Sequence, residues 1–218
     1  MEDPPLEQQV DAIRNAHRQY RLAPFVAILR EVLAHWGSFE QLGGIDVLEL
    51  GPNTRVEMMR FLETGVGVKS IRGVGRTVVW PWVPHRAFIR DHVVSCRFLP
   101  FFERDTPSRF DLIYSRHVME QHSIHPWVLL TSAAYWAQFK KKTCADFDES
   151  YPSSVPNIQA TFKAAWNALR PGGLIISQIG KRKYGCLDET FLATLDPQPS
   201  AVRRRDMGSL SSIVTTTK

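Results

Sequence analysis

A chain of 218 residues has room for one α/β domain with a sizeable core, and 44% apolar with 22% charged residues excludes a fibrous or wholly disordered protein. Its net charge of +5, from 27 basic and 22 acidic residues, favours polyanion contact only mildly, so nucleic acid is not the expected partner, and the basic runs at 140–142, 181–183 and 203–205 are short enough to be solvated surface. The longest uncharged run, 125–139, is too short and too polar to span a bilayer, which takes about 20 apolar residues, so no membrane partner is expected.

The N-terminal MEDPPLEQQ is acidic and lacks an apolar stretch, which argues against a signal peptide. Leu6, Val10, Ile13, His17 and Tyr20 recur at helical spacing, and so do Phe25, Ile28, Leu29, Val32, Leu33 and Trp36. They predict two amphipathic helices, the second stopped at Gly37, that form an N-terminal helical cap over 1–40. Cys96, Cys144 and Cys186 are far apart, odd in number and form no CxxC, so neither a disulfide framework nor a zinc site is indicated and a reducing cytoplasm fits best.

Next comes IDVLELGPNTR, a buried strand over 46–50, a tight turn at Gly51 and Pro52, and a helix over 56–64. In an open parallel sheet the turn after the first strand is where backbone approaches a nucleotide, and glycine removes the steric barrier there. Glu49, at the end of that strand, can accept hydrogen bonds from a ligand's amine or hydroxyl groups. A second strand is predicted over 68–74, followed by VGRTVVWPWVPHRAF, whose two Trp and two Pro residues suit either stacking on a flat ring or covering a sheet edge. Strands are predicted over 93–98, 110–115 and 173–179, and helices over 126–142 and 157–169. Between those helices runs the polar CADFDESYPSSVPN, an insertion at about 138–158 that reads equally as a lid and as a surface loop. Strands alternating with helical stretches indicate a three-layer α/β sandwich with a mainly parallel, Rossmann-like sheet and right-handed crossovers.

Three stretches in this order, LELGPN, FDLIYSRHVME and LRPGGLIISQI, resemble the class I S-adenosylmethionine-dependent methyltransferases of the small-molecule type, over roughly 45–179. The resemblance implies a transferase acting on a small molecule, with 41–197 as the methyltransferase-like domain and S-adenosylmethionine as cofactor. It implies a cofactor site built from Glu49, Gly51, Pro52, Asn53, Gly75, Arg76, Phe98, Leu99 and Ser115, with Leu99 and its neighbours beside the adenine. A proton acceptor is expected just after the fourth strand, where His117 is the first choice as base and Glu120 and His122 follow. Histidines at 117, 122 and 125 match no metal-site spacing, so no metal is expected.

The chain departs from the family pattern at two places. Asn53 and Arg55 stand where the second and third glycines of the turn belong, and Gly75 stands where a carboxylate would receive the ribose hydroxyls. Losing that acceptor costs about 1.5–3 kcal/mol of binding. An enzyme and a degenerate, non-catalytic binding or scaffolding module of the same fold therefore both stay open, while a nicotinamide-dependent oxidoreductase is disfavoured because GxGxxG is absent. Beyond residue 179 only 39 residues remain (218 − 179), including PQPS, RRRD and a Ser/Thr-rich end. IVTTT at the end can supply one strand, but a full hairpin with its helix hardly fits. The expectation is a sheet lacking its last two strands, a flexible tail over 198–218, and an exposed sheet edge open to homo-oligomer pairing.

Overall fold

The computed structural model describes residues 5–52, 56–75, 84–94, 98–104, 109–116, 155–180, 186–207 and 211–218. Its elements, in chain order, are α1 (Leu6–Ala16), α2 (Val26–Trp36), β1 (Asp46–Leu50), α3 (Glu57–Arg60), β2 (Ser70–Val74), α4 (Arg86–His92), β3 (Val93–Val94), α5 (Phe98–Arg104), β4 (Phe110–Arg116), α6 (Val155–Asn167), β5 (Leu169–Gly180), α7 (Glu189–Leu192), β6 (Ala201–Asp206) and β7 (Ser211–Thr217). The strands form one seven-stranded sheet in the order β3-β2-β1-β4-β5-β7-β6. β1 to β5 are parallel, as expected, and β7 is antiparallel to both β5 and β6.

Alternation along the strands sorts their side chains into two apolar clusters, one on each face. Val47, Leu112, Tyr114, Leu174, Ile176 and Ile213 pack with Phe25, Ile28, Leu29 and Val32 of the N-terminal segment. Leu48, Leu50, Ile113, Ile175 and Val214 pack on the other face with Phe162 and Trp166 of α6 and with Phe98, Phe101 and Phe102 of α5. The helical spacing of 25–36 thus reports a helix packed on the sheet, in contact with β5. The N-terminal segment shares its core with the strands.

Four expectations are corrected. The sheet is complete, because β6 and β7 add the antiparallel pair within the short C-terminal stretch. It fits because the connecting helix is one turn, Glu189–Leu192, started by the Asp188 carboxylate accepting from the Phe191 N–H. The segment 198–218 carries those two strands in place of a flexible tail: Ile213 and Val214 are buried, and so are Thr215 and Thr216, β-branched residues that suit a strand as well as a loop. The edge expected at β5 is consequently covered by β7. The outer strand on that side is β6, with Arg203, Arg204 and Arg205 along it, and charge on an outer strand discourages edge pairing. Third, the strand expected over 93–98 is only Val93–Val94, and Phe98 opens a helix whose Phe98, Phe101 and Phe102 are buried at helical spacing, with Pro100 tolerated in the first turn. Fourth, Cys186 is disulfide-bonded, contrary to the expectation of unpaired cysteines.

The aromatic loop at 76–83, the helix predicted from 126 and the insertion as far as 154 lie outside the described residues.

Candidate functional site

β1 carries Val47 into one cluster and Leu48 and Leu50 into the other, which puts Glu49 on the same face as Val47. The β1–β4 register sets Glu49 opposite Tyr114, and the Tyr114 hydroxyl donates to Glu49 Oε2 at 2.7 Å. Both side chains are buried. Burial pushes the Glu49 carboxyl up to about 8, and neither the Tyr114 hydrogen bond nor the charge of Arg116 offsets it; Glu57 adds to the rise. Burial, then the neighbouring Glu49, raises Tyr114 well above its ordinary value. Arg116 ends β4 with its guanidinium carbon 4.9 Å from the centre of the Phe25 ring. Glu57 Oε2 is buried with no hydrogen-bond partner. The Glu49 carboxyl is thus a protonated, desolvated acid that ionises readily only if a cation arrives.

Directly after β1, Gly51 takes the left-handed φ of 69° that the turn requires, and its N–H donates to Val74 O at 2.7 Å. Pro52 is buried above β2, where Gly73 makes room for it: a Cβ at Gly73 would stand 2.8 Å from Pro52 Cγ. Gly75, buried at the end of β2, donates its N–H to Val94 O at 3.1 Å and offers no acceptor side chain to a ribose. Phe98 is buried in the cluster that holds Leu50 and Val74, and Leu99 beside it is half-buried. Ser115 pairs with Leu50 on one side and Ser177 on the other, and its Oγ is buried with no hydrogen-bond partner. A buried hydroxyl without a partner costs free energy, and a ligand that pairs it recovers that cost.

Glu49, Gly51, Pro52, Gly75, Phe98, Leu99 and Ser115 therefore meet at one end of the sheet, around the carboxyl ends of β1, β2 and β4. Asn53, Arg76, His117, Glu120 and His122 lie outside the described residues. Tyr114, Arg116 and Glu57 are absent from the sequence-derived site. Tyr114 was within reach, since aligning FDLIYSR beside DVLEL as parallel neighbours places it across from Glu49. Among the described residues no group of three or more His, Cys, Asp or Glu side chains could hold a metal ion, and no helix is long and apolar enough to cross a membrane.

No family model and no curated protein matches the sequence. Solved structures do match the fold. A 1,6-didemethyltoxoflavin-N1-methyltransferase from Burkholderia thailandensis, solved with bound 1,6-didemethyltoxoflavin and S-adenosylhomocysteine, superposes with a TM-score of 0.53 at 17% identity, covering 100% of this chain and 91% of that one. A SAM-dependent methyltransferase from Archaeoglobus fulgidus gives 0.56 at 11% identity over 95% and 98%. The T. thermophilus 16S rRNA N2 G1207 methyltransferase gives 0.54 at 14% identity over 90% of this chain and 43% of that one. At such identities the likeness is one of architecture, and together with the strand order and the glycine turn it gives this chain the fold of the class I S-adenosylmethionine-dependent methyltransferases.

Proposed function

We propose that the chain is a small-molecule methyltransferase that binds S-adenosylmethionine at the carboxyl ends of β1, β2 and β4. The observation that carries the reading is Glu49, a buried carboxyl near the carboxyl end of β1 that is held by Tyr114. The residues fit the cofactor in three respects. Gly51 lets backbone approach it, Glu49 can receive its ammonium group, and the Ser115 hydroxyl lacks a partner. In one respect they fit poorly, since Gly75 cannot hold the ribose hydroxyls. When bound, S-adenosylmethionine supplies a methyl group already activated by its sulfonium. The protein's share is then to align the acceptor, exclude water and take up a proton, for which His117 is the proposed base, with Glu120 and His122 behind it.

Calorimetric titration with S-adenosylmethionine and S-adenosylhomocysteine tests the reading. Micromolar binding that Glu49→Ala weakens at least tenfold is expected. Because Glu49 is protonated at neutral pH, receiving a cation must release its proton, so affinity should climb by up to about tenfold per unit as pH rises towards 8. Glu49→Gln should flatten that dependence. No binding at millimolar ligand would sink the proposal and leave the non-catalytic module, the reading that Gly75 favours.

A further inference from the structure

On the α2 face of the sheet, a cavity of about 310 Å³ is lined by Glu31, Arg203, Arg204, Arg205, Ile213 and Thr215. Glu31 projects from α2 and is 2% exposed. The Thr215 hydroxyl donates to its Oε2 at 3.2 Å. Two guanidiniums reach the same carboxylate only loosely, Arg203 Nε at 3.6 Å from Oε2 and an Arg205 Nη at 3.3 Å from Oε1. A charge-assisted N–H···O bond closes to about 2.7–2.9 Å, so these are ion pairs at arm's length. A guanidinium carries five N–H donors, and among the described residues neither of these two makes a side-chain hydrogen bond of good geometry.

The imbalance has a chemical meaning. Arg204, the third arginine of the lining, donates to Leu187 O; Arg203 and Arg205 against the one Glu31 carboxylate still leave a net positive charge and a surplus of donors in fork geometry, which matches a planar carboxylate or a phosphate. Charge on an outer strand also blunts edge pairing, but that role needs neither a cavity nor a buried carboxylate. The position is informative too. Tyr114, Ile176, Thr215 and Arg203 are successive partners across β4, β5, β7 and β6. Three strand spacings make that row roughly 14 Å long, so the cavity lies on the same face as Glu49 but outside its reach.

We propose that this cavity is an anion site that takes the carboxylate or phosphate group of a small molecule, held between Arg203 and Arg205 in competition with Glu31. The site is separate from the cofactor crevice, and its test needs no cofactor. Full-length protein is titrated with inorganic phosphate and, separately, with acetate, and followed by amide chemical shifts against sodium chloride of equal ionic strength. Saturable shifts centred on β6 and β7 are expected with at least one of the two anions, and which one responds assigns the group. Arg203→Gln and Arg205→Gln should each weaken binding about tenfold. Glu31→Gln, which removes the competing carboxylate, should tighten it several-fold if the variant folds; the two arginine variants, half-exposed, decide the matter if it does not. Shifts no larger than those from sodium chloride, or saturable binding that survives both arginine substitutions, would overturn the proposal.

Discussion

Glu49 is the residue whose chemistry departs furthest from its ordinary state, and the departure has a sign. Its folded pKa, about 8, lies above the unfolded value of 4.5. The folded protein therefore holds a proton that the unfolded chain has released between those pH values, and stability falls as pH climbs through that window. The contribution is fully present below about pH 4.5 and lost by pH 8. Glu49→Gln keeps the shape and removes the ionisation. Urea unfolding of the variant should show a clearly flatter pH dependence between 5 and 8 than the parent protein. Parallel curves would mean that water or a counter-charge reaches the site.

At the scale of elements, β7 shows how a local reading goes wrong. Ser-Thr-rich sequence after an arginine run reads as a tail too polar to repay ordering. In the fold the same residues sit between β5 and β6, with Ile213 1% exposed and Val214 fully buried. Lys218 follows, and its ammonium donates to Trp166 O at 2.9 Å, in the last turn of α6, and to Leu169 O at 2.8 Å, at the start of β5. If β7 is a core strand, Ile213→Ala should lower stability by about 2–5 kcal/mol in urea unfolding. A residue in a tail would change it by less than about 0.5 kcal/mol.

Across the whole molecule the two ends of the sheet do different work. At the amino end, Arg170 joins Asp111 Oδ2 at 2.6 Å and Asp46 Oδ2 at 2.8 Å, while Ser70 and Lys69 also donate to Asp46. Burial alone would raise Asp46, but hydrogen bonds from Ser70, Arg170 and Lys69 hold it below its ordinary value. This contribution is present above the unfolded pKa and lost as pH falls through the folded one, the reverse of Glu49. Arg170→Gln should cost about 1–2 kcal/mol at pH 7, towards the low end because Arg170 is partly exposed, and much less near pH 2. An equal loss at both pH values would assign the effect to packing. At the carboxyl end the fold leaves Ser115 Oγ and Glu57 Oε2 without partners, which is where a ligand has something to pair.

What local sequence settles is visible in the strand, turn and helix around Gly51, in FDLIYSR and in the Pro-Gly-Gly turn, because hydrophobic period and turn chemistry act over a few residues. Those stretches were enough to anticipate the parallel sheet and the neighbouring β1 and β4. Pairing between distant segments is another matter. Thr215 and Thr216 are equally at home in a loop and in a buried strand, and only β5 on one side and β6 on the other make them core. The raised pKa of Glu49 depends on burial beside Tyr114, and the meeting of Glu31 with Arg203 and Arg205 depends on α2 packing over the strands that end the sheet. Register and desolvation belong to the assembled sheet, and no periodicity along one segment carries them.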